Sequence, residues 1–542
     1  MFKIKSISKY FYSFFNSLIN NLKYSYFKTN YYNKKISRKV PARYVYKPSP
    51  HIINSLISLK KKKIKIENLS LNSIWDVNSK NFSEFETLHN FLWINTLDIK
   101  TSKIATHNII ENWIENNNIF NQQTWKLDIL SKRIISWLSN TNLTLEVSNL
   151  SYKSKFNLSI VKQANHLFKN INKEKNHEKQ LIGCAALILI GLIFKEYEKS
   201  KSTGFEILKK IIKVNFDYNG FPKSRNPQEI NESLKYFIII REWLKESQNQ
   251  IPEFLDEIIY SLGSAFAFIN NSLNHIPLFN GSSSLNNEEF KNYLNNLGYI
   301  FKNETNECGG YYIIKNKKIS FIIDIGNSVQ KKFSDKYQAG CLSFEITSGN
   351  EKLICNSGFY FKDDSKLKTL LSKSTAAHST LYIDDCSSCS IDGTSIKNGL
   401  KVISKKVNVN KEFEEIIARH NGYQSKYGYF HERKIKFLKK SKIFLGTDSL
   451  IGNKNMTNVN FGIRFHVMPE TKMVKTQNSN TVLLSTNNGE GWKFSCSEYK
   501  IIIENGIYLG NKNKIIGNQN IYIPGITEKK DLSINWILEK IS

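Results

Sequence analysis

The sequence has little of what marks several common classes of protein. Proline is scarce, with 9 residues in a chain of 542, and it rarely falls inside the segments with helical spacing. The seven cysteines are odd in number and irregularly spaced, which excludes a disulfide framework. The longest apolar run, Leu181 to Phe194, is too short to span a bilayer, and we interpret it as a buried helix.

Familiar catalytic motifs are missing as well. The sequence contains no phosphate-loop glycine pattern, no Rossmann fingerprint, no HExxH zinc-protease motif and no GxSxG elbow. Nucleotide, hydride and serine-hydrolase chemistries therefore lose support, and the remaining candidates are clusters of polar residues.

The N-terminal segment, Met1 to Lys35, is rich in Tyr, Phe, Asn and Lys. It has neither a clean apolar core nor a small-residue cleavage site, so we expect no signal peptide, and a cytoplasmic location stays open. Two interpretations remain for this segment. It is either a poorly packed leader or a basic aromatic segment that touches a membrane surface.

Negative charge is in short supply. The chain has 77 Lys and Arg against 47 Asp and Glu, for a formal net charge of +30. This balance favours a polyanionic partner, which would be nucleic acid, an anionic polysaccharide or a membrane surface. It is equally typical of the Lys-, Asn- and Ile-rich composition that an AT-rich genome produces. Because no nucleic-acid recognition motif is present, we expect no nucleic-acid partner.

The chain is long enough for two or more domains, and its texture changes near Asn280. Before that point, apolar residues recur at helical spacing with short connections, for example over Phe85–Leu97, which predicts α-hairpins of a solenoid, toroid or bundle. Beyond it, short alternating segments such as Ser379–Ile383, punctuated by Gly, Asn and Asp, predict an antiparallel β-sandwich. We predict a multidomain α+β protein with a leader at 1–50, a helical domain at 51–285 and a sandwich at 286–542.

Four histidines in the predicted sandwich each lie in a short segment with other polar residues: His378, His420, His431 and His466. Imidazole is the side chain best suited to proton transfer near neutral pH. The four either form one polar site or are scattered and hydrogen-bonded inside the sandwich, and their spacing alone does not decide between these alternatives.

The sequence around each of these histidines gives a further prediction about where its side chain points. If the chain after His378 is a strand, Thr380 and Tyr382 share its face. The Asn421-Gly422 pair predicts a tight turn that projects His420 and Tyr423 from a loop. Arg464 and His466 point the same way on a strand, where they either bind an anion or form an exposed charged face. For Phe430-His431-Glu432-Arg433 we favour a cross-strand charged pair over catalysis by Glu432.

Several of these segments resemble sequences of the heparinase II/III-like family of bacterial polysaccharide lyases, whose members combine an incomplete α/α toroid with a β-sandwich. The resemblance covers roughly residues 70 to 525, and the order of the matching pieces makes it specific. In the C-terminal half the matching stretches are 339–346 (AGCLSFEI), 354–358 (ICNSG), 374–381 (STAAHSTL), 420–423 (HNGY) and 464–466 (RFH), and before them 88–93 (LHNFLW), 113–114 (WI), 133–137 (RIISW) and 276–281 (IPLFNG).

The resemblance implies β-elimination on a uronate-containing anionic polysaccharide, at a cleft between toroid and sandwich, in a bacterial cell envelope or periplasm. A base removes the proton next to the uronate carboxylate, a polar or cationic group neutralises that carboxylate, and an acid protonates the leaving oxygen. It implies catalytic roles for His378, His420, Tyr423 and His466, and substrate binding by Arg225, Asn356, Arg464 and Trp93.

Some family positions are replaced here. Gln338 and Gly340 take the places of a His and an Asp that many members carry, and Glu229 stands where many have a tyrosine acid/base. A zinc ion occurs in the family, but with these replacements we expect neither metal nor other cofactor. The Asn-His pair of the helical domain corresponds to Asn176-His177. A rival hypothesis follows, in which the chain keeps the fold and binds or helps to assemble an envelope glycan without cleaving it. The oligomeric state is left open.

Overall fold

The structure is a computed structural model, and it divides into two compact units. It describes residues 15–542 except 16–17, 42, 58–74, 76–81, 98, 147, 271–274, 304, 350, 362–364, 393–394, 454 and 512–513. The first unit comprises residues 1–214 and 233–259, and the second comprises 215–232 and 260–542. Because the units are interleaved along the chain, the predicted limits at 50 and 285 stay predictions.

The first unit is helical. Its most apolar helix carries the run recognised in the sequence, and every residue from Leu181 to Ile193 is buried. No helix among the described residues is long and apolar enough to cross a membrane. Among the described residues, the α-helices with defined limits, in both units, are α1 (Asn30–Ile36), α2 (Phe82–His89), α3 (Ile99–Asn117), α4 (Leu127–Ser139), α5 (Thr141–Thr144), α6 (Leu150–Asn170), α7 (His177–Ile193), α8 (Glu198–Asn215), α9 (Pro227–Glu246), α10 (Glu253–Ile269), α11 (Glu288–Asn296), α12 (Lys366–Lys373) and α13 (Gln424–Tyr427).

The described part of the N-terminal segment packs against the first unit. Phe27, Tyr32 and Ile36 are buried, and the Tyr32 hydroxyl lies 2.8 Å from Nδ1 of His166 in α6. These contacts fix residues 27–36 in place. Residues 1–14 of this segment lie outside the described residues, and the membrane contact considered for Met1 to Lys35 stays a prediction.

The second unit contains two large antiparallel sheets. The first has the strand order β1-β2-β3-β4-β5-β13-β18-β17, with β6 also paired to β13, and the second has the order β14-β15-β16-β19-β12-β11-β10-β9. The strands are β1 (Glu307–Cys308), β2 (Tyr311–Asn316), β3 (Ile319–Asp324), β4 (Phe344–Ser348), β5 (Glu351–Cys355), β6 (Leu381–Ile383), β7 (Ser390–Asp392), β8 (Ser395–Asn398), β9 (Val402–Val409), β10 (Phe413–His420), β11 (Tyr429–Leu438), β12 (Ile443–Gly452), β13 (Asn460–Val467), β14 (Lys472–Lys475), β15 (Thr481–Ser485), β16 (Gly491–Ser495), β17 (Ile502–Tyr508), β18 (Ile516–Ile526) and β19 (Leu532–Lys540).

Aromatic side chains from the two sheets meet in one core. Phe344 of β4 stacks on Trp536 of β19 with ring centroids 5.7 Å apart, and Phe321 of β3 lies 5.6 Å from Phe444 of β12. In β11 and β12 buried residues alternate with more exposed ones, as expected for strands with one face in a core. The predicted fold class, a helical toroid-type region followed by an antiparallel β-sandwich, is confirmed.

Two predicted elements have different limits. The helix predicted over Phe85–Leu97 ends at His89, because Phe91 takes a left-handed conformation (φ 60°) and the Asn90 side chain accepts a hydrogen bond from the Leu92 amide. The strand predicted from Ser379 begins only at Leu381, because Thr375–Ala377 form a 3-10 turn that ends at His378. His378 is therefore not on a strand with Thr380 and Tyr382.

Candidate functional site

A cavity of about 340 Å³ in the second unit contains two of the predicted site residues, Arg464 and His466 of β13. Both line the same cavity, so they point the same way, as the alternation along the strand predicted. We call this space the Arg464 cavity. Its other polar lining residues include Ser357, Tyr360, Lys368, Glu504 and Asn520.

The hydrogen bonds of His466 define its tautomer. Nε2 lies 3.0 Å from the Ala376 carbonyl oxygen, which can only accept, so Nε2 carries the proton. Nδ1 is then an acceptor, and the Ser357 hydroxyl, at 3.1 Å, donates to it. The imidazole is neutral and presents its lone pair to a hydroxyl at the cavity wall.

The surroundings of His466 oppose a positive charge. Burial lowers its pKa to about 3, and the charges of His378 and Arg464 act in the same direction. In the absence of an anion, His466 is therefore a weak base that is neutral throughout the physiological range.

Arg464 has a carboxylate partner. Its Nε donates to Glu504 of β17 at 2.5 Å, and its guanidinium lies over the rings of Tyr382 and Tyr522 at 4.7 and 5.0 Å. Burial disfavours its charge, but the hydrogen bond to Glu504 together with the electrostatic effects of Glu504, Tyr382 and Tyr522 outweighs burial, so the pKa of Arg464 is raised. An anionic ligand would have to share Arg464 with Glu504.

His378 lies close to this cavity but has a different environment. Its Nδ1 donates to the Ser374 carbonyl oxygen at 2.8 Å, and its Nε2 is buried without a hydrogen-bond partner. Burial lowers its pKa to about 4. Its ring occupies the space beside Gly340, where an added Cβ would fall 2.5 Å from the His378 ring.

This packing does not fit a family-type zinc site. Gly340 has no side chain to offer, and the His378 ring fills the place that a side chain at 340 would need. No group of three or more His, Cys, Asp or Glu in the part of the chain that the structure describes is arranged to hold a metal. The other replaced position, Gln338, is buried and donates from Nε2 to the Gly358 and Ser372 carbonyl oxygens.

The loop expected to project His420 and Tyr423 is not exposed, and that prediction is wrong. His420 is the last residue of β10 and is 1% exposed, and Tyr423 is equally buried with its hydroxyl donating to the Leu381 carbonyl oxygen at 3.2 Å. The turn passes close to another segment, because an added Cβ on Gly422 would fall 2.3 Å from the Ser388 carbonyl oxygen. Burial raises the pKa of Tyr423.

His420 belongs to a directed chain of hydrogen bonds. The Gly422 amide donates to Nδ1 of His420 at 3.0 Å, so the proton of His420 is on Nε2. That nitrogen lies 3.3 Å from Nδ1 of His431, and Nε2 of His431 lies 2.8 Å from Oδ1 of Asp448. The chain is consistent when both histidines are neutral. Burial lowers the pKa of each of them.

Asp448 is the end point of this chain, and it is fully buried. Arg433 binds it through two hydrogen bonds of 2.7 and 2.9 Å, and Trp536 donates to it at 2.9 Å. Burial works against the carboxylate, but Arg433 and His431 outweigh it, so the pKa of Asp448 is lowered. We call His420, His431, Arg433, Asp448 and Trp536 the Asp448 cluster. The predicted cross-strand charged pair is present, because Glu432 pairs with Arg419 across β10 and β11 at 2.8 Å.

Arg225 and Asn356 are also placed inside the second unit with their hydrogen bonds satisfied. The Arg225 guanidinium, within 4.7 Å of the Tyr311 ring, binds Asp324 at 2.6 Å and donates to three backbone carbonyl oxygens. Asn356 accepts from the Ser379 amide and donates to the Leu278 carbonyl oxygen. These bonds support the packing of the unit, so the substrate-binding roles of both residues stay predictions.

Two further sequence assignments fall in the first unit. Trp93 is half-buried, and its Nε1 donates to the Leu88 carbonyl oxygen at 3.0 Å. Asn176 caps α7 by accepting a hydrogen bond from the Lys179 amide, which is a structural role. The role of Trp93 in binding a substrate stays a prediction.

Sequence reasoning missed part of the cavity wall. Glu504 comes from β17, which joins β13 only through β18, so no local spacing connects it with Arg464. Tyr360 lies before α12 and Lys368 lies in it, with the Lys368 ammonium 5.4 Å from the Tyr360 ring. Ser357 stands inside the matched ICNSG stretch, and that position was its only signal in the sequence.

With the fold and cavity described, comparison with known proteins gives the family. Residues 307–537 match the family described as heparinase II/III-like, C-terminal. The second unit thus carries a heparinase II/III-like C-terminal domain. The resemblance noted in the sequence is confirmed. A search of curated proteins finds no match.

Solved structures share the fold over most of the chain. The heparan sulfate lyase HepC from Pedobacter heparinus has a TM-score of 0.62 and 15% identity, with coverage of 94% of this chain and 83% of that one. A heparinase III gene product gives a TM-score of 0.67 at 14% identity, with 88% and 81% coverage. Another structure described as heparinase III gives 0.66 at 16% identity, with 84% and 77% coverage. These similarities show a lyase-type fold.

Proposed function

We propose that the protein is a polysaccharide lyase that cleaves a uronate-containing anionic glycan by β-elimination. The observation that carries the proposal is the meeting of Arg464, His466 and Ser357 in one cavity of a lyase-type fold. A cation that can neutralise a carboxylate and a neutral imidazole within one binding space are two of the groups that β-elimination requires.

The low basicity of His466 fits a reaction that depends on bound substrate. A uronate carboxylate placed near Arg464 would offset the positive charge that now disfavours an imidazolium. The pKa of His466 would then rise only in the complex. Ser357, which donates to Nδ1, would turn its hydroxyl away as the substrate proton is transferred to that nitrogen. Tyr360 in the same wall is the phenol that we assign to protonation of the leaving oxygen.

The partner in this proposal is an anionic polysaccharide in a bacterial cell envelope or periplasm. The net charge of +30 favours attraction of a polyanion. Two of the structural neighbours are named as a heparan sulfate lyase and as heparinase III, which supports a uronate glycan as substrate class.

The test is turnover of a panel of uronate glycans, followed by the ultraviolet absorbance of the unsaturated product. The wild-type chain should produce the signal, and Arg464→Gln should lose most of it. Arg419→Gln is the matched control, because Arg419 also pairs with a glutamate but lies outside the cavity. Flat traces across the panel from folded wild-type protein would refute the lyase proposal.

A second candidate function is glycan binding without cleavage, and the state of Gln338 favours it. Its side chain ties three segments together: it accepts from the Gly281 amide at 3.0 Å and donates to the Gly358 and Ser372 carbonyl oxygens. A buried amide with these bonds is a structural link and offers no proton-transfer group. Glycan binding that persists in His466→Gln, with no unsaturated product from either protein, would support this alternative.

A further inference from the structure

The helix α12 (Lys366–Lys373, KLKTLLSK) exposes its apolar side to solvent and buries two polar residues. Its leucines face solvent, with Leu367 66% exposed and Leu371 58% exposed, while Ser372 and Lys373 are buried. An amphipathic helix on a globular protein normally buries its apolar side. At about 100° per residue, the Leu367–Leu371 side and the Ser372–Lys373 side point in roughly opposite directions.

Polar contacts hold the helix in this orientation. Ser365 caps its first turn by accepting from the Lys368 amide, and the buried Lys373 ammonium donates to the Asp335 carbonyl oxygen. The Lys373 carbonyl oxygen also accepts from the Ala339 amide at 2.9 Å. Because these bonds fix the polar side against the segment Asp335–Ala339, the exposure of the leucines is built into the fold.

Exposed isoleucines of β17 and of the connection that follows it share a cavity wall with one of these leucines. Leu371 shares the wall of the Arg464 cavity with Ile507 and Ile515, which are 55% and 50% exposed. Together with Leu367 and Leu370 they form a group of five aliphatic side chains, which we call the aliphatic patch. Exposed apolar side chains grouped in this way commonly mark an interaction site.

Among the residues that the structure describes, the exposed charges beside the patch are basic. Lys366, Lys368 and Lys514 are exposed there, and Glu504 in the adjacent wall is paired with Arg464. Asp363 and Asp364, which precede the helix, lie outside the described residues. Lysines that flank aliphatic residues complement an anionic surface, and they would repel the same patch on a second copy of the chain.

We propose that the aliphatic patch docks the protein on the surface of an anionic lipid bilayer. The five aliphatic side chains enter the boundary between head groups and acyl chains, while the neighbouring lysines stay among the anionic head groups. No part of this proposal depends on glycan cleavage. It also differs from the expected N-terminal membrane contact, because it uses residues of the second unit.

The test is cosedimentation of the full chain with vesicles of mixed phosphatidylglycerol and phosphatidylcholine, and with vesicles of phosphatidylcholine alone. We expect binding to the anionic vesicles only, weakened by raising the salt concentration. Leu367→Ser with Leu371→Ser should lower the partition coefficient by at least about tenfold, because the two side chains no longer gain apolar burial.

The matched control is Val474→Ser with Ile526→Ser. Val474 and Ile526 are 63% and 65% exposed in the same unit, and neither lines the Arg464 cavity. This control should bind like wild type. Equal binding by both double variants would overturn the proposal and assign any binding to bulk charge or the N-terminus. A concentration-dependent dimer that only the Leu367/Leu371 variant loses, without vesicle binding, would also overturn it and assign the patch to self-association.

Discussion

The Asp448 cluster and the Arg464 cavity use the same residue types in two different ways. Each combines an arginine, a carboxylate and a histidine from strands of a single sheet of the second unit. In the Asp448 cluster every one of these groups is fully buried and hydrogen-bonded to another part of the core. In the Arg464 cavity the arginine and glutamate side chains keep about a fifth to a quarter of their surface exposed, at 20% and 25%.

The segment Ser374–Thr380 lies between these two regions and contributes to both. Its Ala376 carbonyl oxygen accepts from His466 at the cavity, and its Ser379 carbonyl oxygen accepts from Arg433 of the Asp448 cluster. One side of the segment thus faces the Arg464 cavity, and the other side faces the core. The comparison teaches that a histidine next to an arginine is a candidate for chemistry only where a ligand can reach it.

Breaking the Asp448 cluster should have the largest effect. Asp448→Asn removes the negative charge and leaves Arg433 buried without its counter-ion, so we expect the free energy of unfolding to fall by about 3–5 kcal/mol. Chemical denaturation measures this loss. Glu432→Gln removes a partly exposed ion pair in the same sheet and should cost about 1 kcal/mol or less. Similar losses in both variants would contradict the assignment of Asp448 as a central structural charge.

Acid should weaken the fold through His466. Its pKa is about 3 in the folded chain and 6.5 when unperturbed, so below pH 6.5 the unfolded chain binds a proton that the folded chain does not. The free energy of unfolding should therefore fall as the pH falls from 6.5 toward 3, by about 1.4 kcal/mol per pH unit, or about 2 kcal/mol at pH 5.

The measurement is the difference in pH dependence between wild type and His466→Gln. The variant should have a shallower decline between pH 6.5 and 4, by the amount that one histidine contributes. The other buried histidines, His378 and His420, remain in both proteins and serve as an internal reference. Parallel curves would show that His466 takes up protons in the folded chain as easily as in the unfolded one.

Arg464 should matter more for ligand binding than for stability. Arg464→Gln loses an ion pair that is partly open to solvent, so we expect a change in the free energy of unfolding of about 1 kcal/mol or less. Affinity for an anionic uronate glycan should fall about tenfold, which equals about 1.4 kcal/mol. Titration calorimetry or fluorescence with a uronate oligosaccharide tests this, and Arg419→Gln is the control. A stability loss as large as that of Asp448→Asn would place Arg464 with the structural group.

The sequence predicted the fold well and the site only in part, for physical reasons that differ. Helical and alternating periodicity reflect which face of an element is buried, so they identified the helices and strands and their order. The same logic put Arg464 and His466 on one side of β13. Periodicity does not say whether a buried polar residue meets a cavity or another polar residue.

His420 and Tyr423 show why the rest was out of reach. The Asn-Gly turn was read as an exposed loop, but the Gly422 turn packs on Ser388, and His420 lies within hydrogen-bond distance of a histidine in the neighbouring strand. Glu504 was missed because its partner is two strands away in the sheet. Each of these outcomes is decided by contacts between segments that are distant in sequence.

The smallest expected effect concerns Tyr423. It tests whether this residue belongs with the structural residues around the Asp448 cluster or with those of the Arg464 cavity. Tyr423→Phe removes one buried neutral hydrogen bond to the Leu381 carbonyl oxygen, which should lower the free energy of unfolding by about 1 kcal/mol. Because the Tyr423 hydroxyl is buried and bound to the backbone, glycan turnover or binding should match wild type. Denaturation and a lyase assay on the same preparation measure both quantities. A large loss of turnover with unchanged stability would return Tyr423 to the catalytic site and show that the buried side of the Ser374–Thr380 segment opens during the reaction.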